Sequence, residues 1–221
     1  MNEINDIINE MLKENYFPRS QSNEKVREKV IFEYLNLILS SDQALRQISD
    51  RSYEHENGFK KIVLYIDKKL GYKIRLHIWP KGFIQSDIHN HAWSFVSYVL
   101  KGAFFNQIYN INSQGKPYFR FEYSVDNFSL ESELKYIGVD SLEKVESNFY
   151  KKGDLYTQDC NLLHKVEISK NAPTATFLIH EKPKFLTSKV FRPIINEKII
   201  EKKHKPLKIE TIIECINFVK S

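Results

Sequence analysis

Two histidines one residue apart, His89 and His91, lie in the stretch GFIQSDIHNHAWSFVSYVLKG from Gly82 to Gly102. The run that follows them is strongly β-forming, and residues two apart in a strand project from one face. Both imidazoles can therefore aim at one point. A third histidine, His164, lies in a second segment, GDLYTQDCNLLHKV, which begins with a glycine-led turn. Three neutral imidazoles from two strands form an open-sided site for a first-row transition metal. With metal–nitrogen bonds near 2 Å, the three rings should bring their nitrogens within about 4 Å of one another.

The residues around this triad suggest a pocket. If His89 and His91 point inward, alternation sends Trp93, Phe95, Ser97 and Val99 inward as well. Phe95 and Ser97 would then line a small-molecule site that is mostly apolar with one hydroxyl. Arg75 lies in the strand YKIRLHIW, where Arg75, His77 and Trp79 share one face and Ile74, Leu76 and Ile78 the other. Alternation alone leaves open which of these faces is inward. On an inward face Arg75 could clamp a substrate carboxylate through two donors. Gln107 and Tyr109 share a strand face beside the first histidine segment and are candidate polar contacts. His180 is a candidate catalytic base, with a satisfied strand-end histidine as the alternative. The other conspicuous residues read as structural: His77 as a strand histidine, His55 and His204 as exposed, Cys160 as a buried thiol and Tyr98 as packing on the face away from the triad.

The elements that must position these groups can be read in order. Ile4, Ile7, Ile8, Met11 and Leu12 recur at helical spacing, and Pro18 marks the break. Asn23 could cap a second helix whose buried stripe is Val26, Val30, Ile31, Tyr34, Leu35 and Ile38. Residues 41–48 read as a short third helix. From Lys60 the pattern changes to strands: KKIVLYID and YKIRLHIW form a hairpin across KKLG. AFFNQIYNI and PYFRFEYSV follow, separated by the polar loop NSQGK. Residues 126–145 look like an irregular excursion with a short helix. TATFLIHEK and KVFRPI continue the strands, EKIIEKKHKPLK reads as a solvated surface segment, and Pro206 precedes a C-terminal helix. Short strands flanked by terminal helices indicate an antiparallel β-barrel or jelly roll. We expect one domain over residues 1–221, with a helical extension over 1–52, a barrel over 60–195 and a helix over 206–220.

At this point the two histidine segments resemble the motifs of the cupin superfamily. The first cupin motif is a glycine, His-x-His, three or four residues, a glutamate, six residues and a glycine. His89, His91 and Gly102 keep that spacing, and Gly82 stands one residue further upstream. The second motif is a glycine, five residues, a proline, one residue, a glycine, two residues and a histidine. Gly153 and His164 fit the interval, with Asp159 in place of the proline and Asn161 in place of the second glycine. Asn tolerates a left-handed backbone, so the turn stays feasible. Phe95 fills the glutamate slot, which leaves three histidines alone as ligands. That set is similar to the one the thiol dioxygenases use, which implies Fe(2+), molecular oxygen and a small thiol. The crosslinking cysteine that some of these enzymes carry after the first motif has no counterpart here, because Phe95 and Val96 stand there. Of their Ser-x-His-x-Tyr relay only His180 remains.

Bulk composition narrows the rest. The 221 residues carry a net charge of +5, with 33 basic and 28 acidic residues mixed along the chain, which argues against nucleic-acid or membrane-surface binding. There are two cysteines, Cys160 and Cys215, with no sign of a disulfide framework. The opening MNEINDIINE lacks the regions of a signal peptide, and a cytoplasmic location is expected. Three functions are carried forward. The first is a mononuclear non-haem iron oxygenase acting on a small polar metabolite with O2, as the resemblance implies. The second is a non-redox cupin (isomerase, lyase or hydrolase) with another divalent metal, and the third a ligand-binding cupin without catalysis. A homodimer through the N-terminal helices is also allowed.

Overall fold

The computed structural model describes residues 24–82, 86–126, 129–168 and 171–221. The helix expected over Ile4–Leu12 and the cap at Asn23 lie outside the described residues. The chain divides into two units, Met1–Asp50 with Leu207–Ser221, and Arg51–Pro206.

In the first unit, α1 (Glu24–Leu39) buries Ile31, Tyr34, Leu35 and Ile38, while Val26 is exposed and drops out of the expected stripe. Ser41 caps α2 (Asp42–Arg51) by accepting the Ala44 N–H at 3.2 Å. Helix α3 (Ile209–Lys220) buries Ile212, Cys215, Ile216 and Val219 at helical spacing. Among the described residues no helix is long and apolar enough to cross a membrane.

The second unit is mainly β. Its strands are β1 (Tyr53–Glu54), β2 (Lys60–Ile66), β3 (Lys73–Trp79), β4 (Ile88–His89), β5 (Phe95–Lys101) and β6 (Ala103–Val125), followed by β7 (Glu131–Lys151), β8 (Leu155–Gln158), β9 (Leu163–Ile168), β10 (Thr174–His180), β11 (Ser188–Arg192) and β12 (Ile199–Lys203). They form two six-stranded sheets, ordered β1-β2-β3-β10-β5-β8 and β11-β4-β9-β6-β7-β12, with β11 also paired to β6. Every pairing is antiparallel. The core lies between the sheets, where Trp79, Phe95, Val99 and Leu178 of the first meet Phe104, Val166 and Ile168 of the second. Crossovers between non-sequential neighbours, such as β10 between β3 and β5, give the jelly-roll class expected.

Two local expectations are corrected. The run read as two strands split by NSQGK is one 23-residue strand, β6, whose register against β7 jumps between Ile111 and Lys116. The turn-forming residues there make a bulge that the ladder passes around. Residues 126–145 hold no helix among those described; most belong to the 21-residue β7, whose pairing with β6 overrides a weak local preference. Part of the basic segment forms β12, which pairs with the start of β7 while its side chains stay mostly exposed, as expected of a solvated segment.

Candidate metal centre

His89 ends β4, and directly across the ladder stands His164 on β9. The pairing of β4 with β9 inside the sheet makes two ligands face each other. His91 is not in a strand, contrary to the expectation; it sits in the link between β4 and β5. What aims it is Asn90, which is buried. The Asn90 side chain donates to the Cys160 carbonyl at 3.1 Å and accepts the Lys189 N–H at 2.6 Å. Asn90 is thus anchored to both neighbouring segments, so the two histidines flanking it are held at fixed positions.

The three imidazoles converge. Their ligand atoms lie within 4.8 Å of one another, and the Nε2 atoms of His91 and His164 are 2.8 Å apart. The close pair matches two donors on one ion bonded at about 2 Å; the widest separation is somewhat larger than the roughly 4 Å anticipated. Ring orientation is set from behind. His89 donates from Nδ1 to the Asp87 carbonyl at 2.8 Å, leaving Nε2 with a free lone pair. His164 donates from Nδ1 to Asn106 Oδ1 at 2.7 Å. The Asn106 amide is in turn fixed by donating to Gln158 Oε1 at 3.1 Å, and Gln158 donates to the Leu162 carbonyl at 3.5 Å. Such outer hydrogen bonds select the tautomer a metal needs. Burial lowers the pKa of all three rings, with neighbouring imidazoles adding to the shift at His91 and His164. They are neutral donors at ordinary pH, so the donor set fits a first-row transition metal. Replacing Asn106 by Leu is expected to weaken zinc or iron binding about 10–100-fold, measured by chelator competition, while Asn106→Asp keeps the acceptor and most of the affinity.

His89 and His91 open onto a small cavity of about 90 Å³, lined also by Trp93, Arg75, His77 and Lys61 among others. This settles the open question on β3: the face bearing Arg75 and His77 looks into the cavity. Arg75 is 3% exposed, and its Nε and Nη2 have no hydrogen-bond partner among the described residues. Its guanidinium lies over the Trp93 ring, 4.7 Å from the centroid. Burial lowers its pKa from 12.5 to about 10, which still leaves it charged at neutral pH.

The other anticipated residues are placed as follows. Phe95 meets His91 edge-on at 5.0 Å between ring centroids, and Ser97 is buried on the same inward face of β5. His180 stacks on Trp93 at 4.4 Å and donates from Nδ1 to the Glu181 carbonyl; it is not on the cavity wall. Gln107 and Tyr109 are not brought to the triad. Gln107 donates to Glu167 and accepts from Tyr109, and neither lines this cavity. Strand parity on β6 turns Asn106 towards His164, so Gln107 points the other way. His55 and His204 are not exposed as expected. His55 is on the cavity wall, stacked on Phe59, and His204 is buried against Tyr53 and bonded to Ser132. Cys160 is a free buried thiol and Tyr98 is fully buried.

Neither a family model nor a curated protein matches the chain. Among solved structures it is similar to an RmlC-like cupin from Shewanella frigidimarina, at 13% identity and a TM-score of 0.38, over 60% of this chain and 84% of that one. A hydroquinone 1,2-dioxygenase in complex with Cd2+ and 4-hydroxybenzonitrile is similar at 15% identity and a TM-score of 0.37, over 62% and 71%. An oxalate decarboxylase from Bacillus subtilis gives 13% and 0.38 over 62% of this chain, which spans only 29% of that one. These neighbours include cupins, as the histidine motifs suggest. The chemistry of the site is read from its own residues alone.

Proposed function

We propose that His89, His91 and His164 hold a single ferrous ion and that the chain is a mononuclear non-haem iron oxygenase of the thiol-dioxygenase-like kind, acting on a small carboxylic acid. The observation that carries this reading is that the three-imidazole cluster presents His89 and His91 to one cavity with a buried arginine that has no ion pair among the described residues. Ferrous iron held by His89, His91 and His164 would supply the electrons for dioxygen chemistry. The chain's own residues do the rest. Arg75 takes the substrate carboxylate, and the charge of that group offsets the burial of the guanidinium. Trp93 carries Arg75 on its ring and is itself stacked on His180, so His180 acts as a positioning residue through the indole. Phe95 packs against His91 and keeps water from that side of the ligand set.

The test is oxygen uptake by the full chain loaded anaerobically with Fe2+ or with Zn2+, using small thiol-bearing and plain carboxylic acids. Uptake with iron alone is expected. Arg75→Met should raise KM about 10–100-fold, the loss of one charge-assisted contact. Turnover that is equal with zinc under nitrogen would overturn the oxygenase reading in favour of non-redox metal chemistry.

A further inference from the structure

Arg75 is not the only buried cation on this wall. Lys61 on β2 is 4% exposed and also lines the cavity. Its ammonium touches only neutral groups: it donates to Tyr53 Oη at 2.7 Å and lies 4.8 Å from the centroid of that ring. The acids of the cavity are already engaged. Asp87 accepts from Arg192 at 2.9 Å, and Glu56 lies 3.6 Å from Arg192 and 4.0 Å from Lys202. Among the described residues no carboxylate forms an ion pair with Lys61 or Arg75. Arg75 and Lys61 therefore share one cavity with no carboxylate ion-paired to either among the described residues. Burial together with Arg75 pushes the pKa of the Lys61 ammonium well below its ordinary range, so that an incoming anion would favour its charged form. Burying an ammonium this way is expensive unless something negative joins it.

The ladder sets their spacing. Lys61 pairs with His77, and Arg75 pairs with Val63, so Lys61 and Arg75 are diagonal neighbours on one face. Diagonal positions stand about 7–8 Å apart at the backbone, so both side chains rise from one patch of the wall, where a short chain of about four to six carbons with an acid at each end could meet both. His77, directly across the ladder from Lys61 and two residues from Arg75 on β3, presents a buried Nε2 that has no partner among the described residues.

We propose that this cavity is built for a doubly anionic acid, with one carboxylate on Arg75 and a second acidic group on Lys61, assisted by His77. This rests on the reading that the cavity is the substrate site, and it narrows the substrate to small dicarboxylates or carboxylates bearing another anionic group. A carboxylate or a phosphonate at the far end would satisfy Lys61 equally.

The experiment is calorimetric titration of the full metal-loaded chain with succinate, glutarate, 3-phosphonopropionate and butyrate, the last matching succinate in length with one acid fewer. The diacids are expected to bind at least about 10-fold tighter than butyrate, and phosphonopropionate against succinate tells which far-end acid is preferred. In Lys61→Met that preference should collapse to within about threefold with butyrate affinity unchanged, and Lys61→Arg should restore it. A purely structural Lys61 would leave the diacid-to-monoacid ratio untouched in Lys61→Met. Equal binding of succinate and butyrate by the native chain, or a preference that survives Lys61→Met, overturns the proposal while leaving the site reading intact. If no acid binds and Arg75→Met changes nothing, both fall.

Discussion

The purified His164→Ala variant is expected to hold less than about 0.1 ion per chain where the native chain holds about one, a loss larger than the 10–100-fold that removal of an outer hydrogen bond causes. His164 is 3% exposed and its Nε2 stands 2.8 Å from that of His91, so it supplies one side of the closest donor pair. Alanine leaves two imidazoles, and His91 loses the group that defines its half of the site. The same change should abolish thermal stabilisation by added metal, since an ion that binds only the folded chain raises stability by about 4 kcal/mol at a thousand times its dissociation constant. His77→Ala is the control. That ring lines the same cavity on the other wall, yet it is not one of the three converging histidines. Elemental analysis and melting curves on both variants decide the matter. Stoichiometric metal in His164→Ala would end the case for this centre.

How much of that centre the sequence disclosed depends on which kind of information each residue needed. His89 and His164 were legible because period-two spacing and a glycine-led turn are local signals. The position of His91 was anticipated by a mistaken route. The run was read as one strand, whereas the chain leaves β4 after His89 and is pinned by Asn90 to Cys160 and Lys189. Those anchors are 70 and 99 residues away, and no local pattern announces them. Asn106 escaped for a related reason. β6 carries Phe104 and Phe105 side by side, so hydrophobic alternation gives no parity, and the choice between Asn106 and Gln107 is made by pairing with β9. His204 was read as exposed from its lysine-rich neighbours, but its burial comes from Tyr53 and Ser132, far off in sequence. The fold class survived such errors because it rests on strand spacing over the whole chain rather than on any one register.

Gly102 gives a large stability effect from a single methyl group, because backbone strain and close approach act together there. It closes the first histidine segment between β5 and β6 with φ at +74°, a left-handed conformation that side chains adopt at a cost of about 1–3 kcal/mol. Space is short as well. A Cβ there would stand 2.5 Å from the Pro173 carbonyl oxygen, 2.5 Å from Thr174 Oγ1 and 2.9 Å from Thr174 Cα. Two of those atoms are backbone at the start of β10, the strand that lies between β3 and β5 and pairs with both. Relief therefore means moving the strand that ends at His180, the ring stacked on Trp93. Gly102→Ala is expected to cost about 4 kcal/mol or more, adding overpacking to backbone strain, and to lower Tm by about 8–16 °C for a chain of this size. Gly82→Ala separates the two contributions. Gly82 has φ at +86° but nothing within 4 Å of the added carbon, so it bears the backbone strain alone. Denaturant melts of both variants should show Gly102→Ala well below Gly82→Ala. Equal losses would mean that the close approach of β10 contributes nothing, and that the turn alone requires glycine.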